Sequence, residues 1–256
     1  MIPRVIHYCW FGHGKMPKLA KKCIKSWKKY CPDYKIREWN ESNFDVNTIP
    51  YTSEAYKAGK YAFVSDYARF WILYHHGGIY FDTDVEAIAG IDDIVDRGPF
   101  MGCENELDDG TKNLWVAPGL GLGAPARHPL YGEILDLYKN LHFTLPDGTQ
   151  NTKTVVEYIT ELLTRHGLMQ TNGLQIVDGV DIYPKEFFCP LSFWTRQCKV
   201  TDNTRTIHHY SGSWMPKDQL MRKRHPHLFK LWYWFIYLPE YEYKKHIKRD
   251  KSTGTY

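Results

Sequence analysis

The chain has 256 residues, 43% hydrophobic and 24% charged, and can bury a full core as one large domain or one domain with an appendage. No run approaches the ~20 consecutive apolar residues that a membrane-spanning helix needs. The net charge of +4 hides an uneven spread: residues 1–40 carry ten Lys/Arg against two Asp/Glu, 217–256 carry ten against four, and 41–216 carry 13 against 23. A basic rim around an acidic centre fits an enzyme that binds a metal and a phosphate-bearing ligand near an anionic surface. Solvated helix faces at both ends are the plainer alternative. Aromatic residues reach 16% of the chain; core filling is the default for most of them, with sugar or base stacking as a further use. The six cysteines (9, 23, 31, 103, 189, 198) form no C-x-x-C pair, and an apolar strand starting almost at Met1 leaves no room for a targeting segment. Reduced thiols in a cytosolic protein are expected.

In chain order, "IPRVIHYCWFG" predicts a buried first strand that breaks at Gly12-His13-Gly14. "MPKLAKKCIKSWKKYCP" places Leu19, Cys23 and Trp27 at four-residue spacing between lysines, an amphipathic helix with a basic face, closed by Pro32. "YKIREWN" alternates as a second strand, so the chain opens strand, helix, strand, as a parallel α/β sheet does. "SEAYKAGKYAFVSDYARFWILYHHGG" is helical, broken near Gly59, and its second part, 61–76, stops at Gly77-Gly78. "IYFDTDV" reads as a short strand carrying two carboxylates to its C-terminal end, where ligands bind in open α/β sheets. "PFMGCEN" predicts a strand and "GLGLGAPARHP" a Gly-rich loop. Helices follow at about 130–140 and in "TKTVVEYITELLTRHG", then short strands in "GLQIVDGVDIYPKEFFCP" and "TRTIHHYSGSW". There is no internal repeat, low-complexity tract or interdomain linker.

The chemistry concentrates at Asp82 and Asp84. In an extended strand both side chains point to one side, where they repel unless a cation sits between them or one is protonated. Mg²⁺ or Mn²⁺ takes such oxygen ligands and keeps open positions for phosphate oxygens. A bare D-x-D is common by chance, so its surroundings matter. Upstream, Asp66 and Arg69 lie three apart on one helix face, either as a simple ion pair or as a carboxylate–guanidinium grip on adjacent sugar hydroxyls.

Three segments, "IPRVIHYCWFG", "KYAFVSDYARFWILYHHGGIYFDTDV" and "IHHYSGSW", together resemble a family of small bacterial glycosyltransferases. That family (glycosyltransferase family 32, of the capsular-polysaccharide type) is related to yeast mannosyltransferases and to the catalytic domains of the large clostridial glucosylating toxins. The resemblance implies an α/β, GT-A fold: a Rossmann-like, mostly parallel sheet flanked by helices over residues 1–216, with 217–256 as a basic, aromatic helical extension. It implies a nucleotide-sugar donor, a Mn²⁺ or Mg²⁺ cofactor, and transfer with retention of anomeric configuration to a glycan acceptor; a UDP-linked donor is the expectation. Asp84 would bind the metal, and Asp82 the ribose and the metal's environment. Asp66 and Arg69 would hold the donor sugar, beside Tyr80 and Thr83. His7, Tyr8 and Trp10 match the segment lining the nucleotide pocket. Ser213 and Trp214 would reach the diphosphate, with Lys217 close by. The H-x-x-G spacing favours His209 as a further metal ligand, with His208 as the alternative. Gly119, Leu120 and Gly121 stand where many relatives carry an Asn beneath the sugar.

The stretch "HPHLFKLWYWFIYLPEYEYKKHIKRDK" lies outside the matched core. It suits either a helix packed on the core or one lying on an anionic membrane through about 225–250, which would bring the enzyme to a lipid-linked acceptor on the inner face of the plasma membrane. Nucleic acid is not expected as a partner. Two competing readings remain open. One is a haloacid-dehalogenase-type phosphatase with Asp82 as nucleophile, although such enzymes place the motif on the first strand. The other is a carbohydrate-binding protein without catalysis.

Overall fold

The apolar, β-branched start of the chain forms β1 (Val5–Cys9). Its two sides face different layers, Ile6 and Tyr8 packing into one apolar cluster and Cys9 into another, as the two-residue period of a strand requires. The computed structural model describes residues 1–107, 113–193 and 196–212, and Met1–Ser211 forms one compact unit. Ser213, Trp214, Lys217 and the expected extension 217–256 lie outside the described residues.

From β1 the chain crosses by α1 (Lys18–Tyr30) to β2 (Lys35–Trp39), which pairs parallel with β1, Val5 opposite Lys35. Ala20, Cys23 and Trp27 of α1 are buried and its lysines face solvent, as the spacing predicts. The return crossover uses α2 (Pro50–Lys57) and α3 (Tyr61–His76), and α3 covers the opposite face of the sheet with a largely buried, nearly all-apolar surface. α3 ends at Gly77 (φ 64°), and Gly78 (φ 108°) opens β3 (Gly78–Tyr80). A Cβ on Gly78 would stand 2.8 Å from the Val5 carbonyl and 2.9 Å from His7 Nε2, so the contact between β3 and β1 requires glycine there.

β3 lies parallel to β1 on the side away from β2. Chain order therefore reverses at β1, and the crevice beyond the C-terminal ends of β1 and β3 is where an open α/β sheet places its ligand. The sheet continues through β5 (Phe100–Gly102), β6 (Leu122–Ala124), β7 (Gln175–Val177) and β8 (Val180–Tyr183), in the order β2-β1-β3-β6-β5-β8-β7. Strands β2, β1 and β3 are mutually parallel, as are β5 and β8; β6 runs antiparallel to β3 and β5, and β7 to β8. With α5 (Pro129–Lys139) and α6 (Val155–Arg165) packed on the α3 side, the architecture is the expected α/β sheet flanked by helices. α6 starts with a capping box between Thr154 and Glu157.

Two expectations change. The Gly-rich segment 119–129 is not wholly loop, because it contains β6, a central strand. Glycine serves that strand as a place for a ring: a Cβ on Gly123 would lie 2.4 Å from Phe100 Cε1. The strand through "IYFDTDV" stops at Tyr80; the Val85 amide bonds to the Asp82 carbonyl in a turn, and the chain restarts as β4 (Val85–Ala87). β4 pairs antiparallel with β9 (Thr206–His208) in a separate two-stranded sheet. α1 anchors this small sheet, Trp27 Nε1–H donating to the Val85 carbonyl at 2.8 Å and the Ala87 amide to Ser26 Oγ at 2.9 Å.

His7 is a structural residue. It is 2% exposed; its Nε2–H donates to the Gly77 carbonyl at 3.1 Å, and its Nδ1 accepts from Trp39 Nε1–H at 3.0 Å. Both ring nitrogens thus hold β2 and the α3 terminus to β1, which fixes one tautomer. Burial lowers the imidazole pKa to about 4, and the nearby cations His76 and Arg37 push the same way. Between about pH 6.5 and pH 4 the unfolded chain therefore binds a proton that folded His7 refuses, and stability falls with pH through that window, by about 3 kcal/mol in full. His7→Leu should cost about 1–3 kcal/mol near neutrality by stranding the Trp39 N–H, while removing this part of the pH dependence. Urea unfolding at about pH 7 and about pH 4.5 measures both; an unchanged acid loss in the variant contradicts the assignment.

Candidate functional site

The crevice is built around a buried guanidinium. Arg69, on the sheet-facing side of α3, donates through Nε to the Ser65 carbonyl at 3.1 Å and through Nη2 to Asp66 Oδ1 at 2.9 Å. The same Nη2 lies 3.3 Å from Asp82 Oδ1, and the guanidinium carbon stands 5.0 Å from the centre of the Tyr80 ring. Tyr80 O–H donates to Asp82 Oδ1 at 3.1 Å. Strand alternation explains the arrangement: Ile79 and Phe81 pack on the α1 side, Tyr80 on the α3 side, and Asp82 continues the Tyr80 direction.

Two carboxylates therefore share one guanidinium. Burial raises the Asp66 pKa to about 7, with Arg69 opposing and Asp82 adding to the rise. Burial alone would lower Arg69, but Asp82, Tyr80 and Asp66 hold it charged. Side-chain exposure separates the roles: 4% for Arg69, 12% for Asp66 and 31% for Asp82. Asp82 is the member of the triad open to a ligand, and Asp66 and Arg69 position it from behind.

Gly119 completes the seat. Its carbonyl accepts the Asp82 amide at 2.9 Å, and a Cβ at this position would come within 1.9 Å of Asp82 Oδ2. Sequence reasoning treated Gly119 only as a departure from a family pattern. The closely spaced glycines of "GLGLG" were the available signal for a backbone packed against the D-x-D.

Asp82 and Asp84 do not share one side. The turn between them sends Asp84 to a different set of partners, because only an extended strand would align their side chains. Asp84 Oδ2 accepts the Ser211 amide at 2.7 Å, Oδ1 lies 3.3 Å from His208 Nε2, and the Asp84 carbonyl accepts the His209 amide at 2.9 Å. Burial alone would raise the Asp84 carboxyl, but His208 and Ser211 outweigh it and hold it below the usual carboxylate range. The His208 ring, which burial would lower, is raised well above its ordinary value by Asp84.

The two histidines take different partners. Val85 pairs with His208 in the β4–β9 ladder, and the turn just before Val85 leaves the Asp84 carboxylate beside the His208 ring, whereas His209 Nε2 lies 2.7 Å from Glu86 Oε2, a carboxylate that Lys22 also contacts at 2.8 Å. The side chain beside the D-x-D carboxylates is that of His208, not the favoured His209. H-x-x-G spacing carries no information about which ring lies there.

Residues of the first-strand segment divide. Tyr8 is largely buried and donates its O–H to Glu38 Oε2 at 2.6 Å. Trp10 lies just past β1, half-buried, with its Nε1–H on the Gly14 carbonyl at 2.7 Å and its side chain lining a cleft of ≈ 390 Å³ with Glu38, Asn40 and Glu41. Thr83 is partly exposed in the turn between the two aspartates. Trp10 and Tyr8 thus each line a cleft, on either side of Glu38, while His7 supports the segment from within.

The donor set at Asp84 fits a divalent cation of the Mg²⁺ or Mn²⁺ type. A carboxylate oxygen and an imidazole nitrogen lie 3.3 Å apart, and both become available to an ion once His208 gives up the proton that Asp84 stabilises. Among the described residues no group of three or more His, Cys, Asp or Glu could hold a metal by itself. Asp84 and His208 would supply part of a coordination shell that phosphate oxygens can complete.

Residues 17–101 match the family described as the glycosyltransferase sugar-binding region containing a DXD motif. Over 235 residues the chain is 28% identical to an uncharacterized glycosyltransferase, L373, of Acanthamoeba polyphaga mimivirus, covering 87% of each. Over 153 residues it is 29% identical to inositol phosphoceramide mannosyltransferase 1 of Schizosaccharomyces pombe, covering 55% of this chain and 44% of that one. Among solved structures, a glycosyltransferase involved in glycosylation of the major capsid of PBCV-1 aligns with a TM-score of 0.47 at 14% identity, over 87% of this chain and 98% of that one.

The seat of Asp82 gives a structural prediction. Gly119→Ala should drive Asp82 off Arg69 and destabilise the fold by about 1–3 kcal/mol, as overpacking of a close contact does. Chemical denaturation measures it, and stability equal to the parent's contradicts the contact. By sequence the chain is similar to proteins named as glycosyltransferases, and its residues 17–101 match the DXD-containing sugar-binding region of that family.

Proposed function

We propose that the protein is a metal-dependent, retaining glycosyltransferase. In this reading it moves a hexose or N-acetylhexosamine from a UDP-linked donor to a glycan acceptor, in the cytoplasm, for surface polysaccharide or oligosaccharide synthesis in a bacterium. The observation that carries the reading is the arrangement of the D-x-D just beyond β3, with Asp82 seated on Arg69 and partly open, and Asp84 beside His208. Mn²⁺ or Mg²⁺ bound through Asp84 and His208 would neutralise charge on the donor's diphosphate as it leaves. Trp10 offers an aromatic face for the nucleobase, its ring held by the Gly14 carbonyl. Asp82, fixed by Arg69, Tyr80 and Gly119, accepts hydrogen bonds from donor hydroxyls at a defined angle. Ser213, Trp214 and Lys217, which lie outside the described residues, are proposed at the diphosphate on the family resemblance alone. The fission-yeast relative's name, an inositol phosphoceramide mannosyltransferase, supports a lipid-borne acceptor.

The phosphatase reading finds little support. Asp82, its nucleophile, has Oδ1 occupied by Arg69 and Tyr80, and Oδ2 lies where a Cβ on Gly119 would sit. A carboxylate so paired is a poor nucleophile, and the motif follows the third strand of the chain.

Donor hydrolysis with Mn²⁺ across UDP- and GDP-sugars tests the proposal. Slow sugar release from one donor is expected, abolished by EDTA and lowered at least about a hundredfold by Asp84→Ala. His208→Ala should weaken the apparent Mn²⁺ affinity by about 10- to 100-fold and His209→Ala much less. Phosphate release from sugar phosphates without nucleotide-sugar turnover would overturn the proposal.

A further inference from the structure

We infer that the solvent face of α1 is a docking surface for an anionic membrane. Lys18, Lys21, Lys22, Lys25, Lys28 and Lys29 are all exposed. At 3.6 residues per turn they fall within an arc of about 120° and run about 16 Å along the helix. Only Lys22 has an acidic partner, Glu86; Lys29 rests on the Tyr30 ring, and Lys18, Lys21, Lys25 and Lys28 have no ion pair among the described residues. A solvated helix face of ordinary design interleaves Glu and Asp with its lysines. α1 contains no acidic residue at all. Like charges at three- and four-residue spacing repel, so the row Lys18, Lys21, Lys25, Lys28 works against the helix unless an external anion relieves it.

The chemistry of the row selects the partner. Every cation on α1 is lysine, a hydrated point charge without the planar fork that arginine offers to individual phosphates. A linear array of such charges suits a diffuse anionic surface better than one defined phosphate group. Beside it lies a shallow cleft of ≈ 310 Å³, where Lys21, Lys25 and Lys28 meet the apolar Met16 and Ile24. Glu38 also lines this cleft and would disfavour a lone phosphate anion there. Lysines flanking partly exposed apolar side chains are what an interfacial helix presents to lipid headgroups. No helix among the described residues is long and apolar enough to cross a membrane, so the contact would be peripheral. The inference stands on α1 alone and does not depend on the transferase reading.

Vesicle flotation with the full chain tests it. At low salt the protein should float with vesicles of phosphatidylcholine and phosphatidylserine, not with phosphatidylcholine alone, and added salt should release it. Changing Lys18, Lys21, Lys25 and Lys28 together to Gln should lower the partition about tenfold or more, with the Lys18→Gln, Lys25→Gln pair intermediate and circular dichroism unchanged. Flotation of the quadruple variant equal to the parent's would assign the contact to another part of the chain and overturn the inference. So would failure of the parent to bind acidic vesicles. Release by pyrophosphate well beyond that by sodium chloride of equal ionic strength would replace the surface by a discrete phosphate site. Displacement by RNA at concentrations that leave other polyanions ineffective would replace it by a nucleic-acid face.

Discussion

A guanidinium sealed beneath the end of β3 is the constraint from which the site follows. Arg69 cannot lose its proton and is almost wholly buried, so it must be neutralised where it stands. Asp66 supplies one carboxylate from the same helix, and Asp82 supplies the second from the end of the strand. Removing either would leave a buried charge underpaired, which costs more than the pair contributes. The carboxylate that the chemistry needs in the crevice is thus also one that the fold needs, and its position is set by packing rather than by the ligand. The glycine turn Gly77-Gly78 has a matching role: it lets α3 and β3 approach so closely that the arginine of one reaches the aspartate of the other.

The second carboxylate belongs to a different mechanical element. Asp84 stands at the head of the β4–β9 ladder, and α1 fixes that ladder through Trp27 and Ser26. One aspartate of the motif is therefore held from the α3 side of the sheet and the other from the α1 side. Their separation is a property of the whole layer structure. A one-residue shift of β9 would exchange His208 for a neighbour and undo the pairing at Asp84, which is how strand register enters the chemistry.

Much of this was legible from the residues. The helical period and the Gly pair located α3 to the residue, and i,i+3 spacing placed Asp66 beside Arg69, because local rules suffice inside one helix. The D-x-D marked the end of β3, where Asp82 meets Arg69. What the sequence did not disclose were relations between distant segments. Alternation reads as extended through Asp84, yet the chain turns at Thr83 between the large sheet and the small one. H-x-x-G spacing favours His209, yet it is the His208 ring that lies beside Asp84. His7 carried the polarity of a ligand-binding residue, yet Trp39 and Gly77, 32 and 70 residues away, take both of its nitrogens. Gly119 read as a gap in a pattern, yet it is the surface against which Asp82 rests. In each case a side chain's role was decided by a partner that no local pattern names.

The position of β6 has a consequence for how the chain becomes a protein at all. β6 sits between β3 and β5, and His208 reaches Asp84 across more than a hundred residues of sequence. A ribosome that has released residues 1–101 has made β1, β2, β3 and both aspartates of the motif, with Asp66 and Asp82 already available to Arg69, but neither β6 nor His208. Long-range pairing of this kind is paid for in loop-closure entropy before it is rewarded. The half of the site around Asp84 is therefore completed only after β9 has been made.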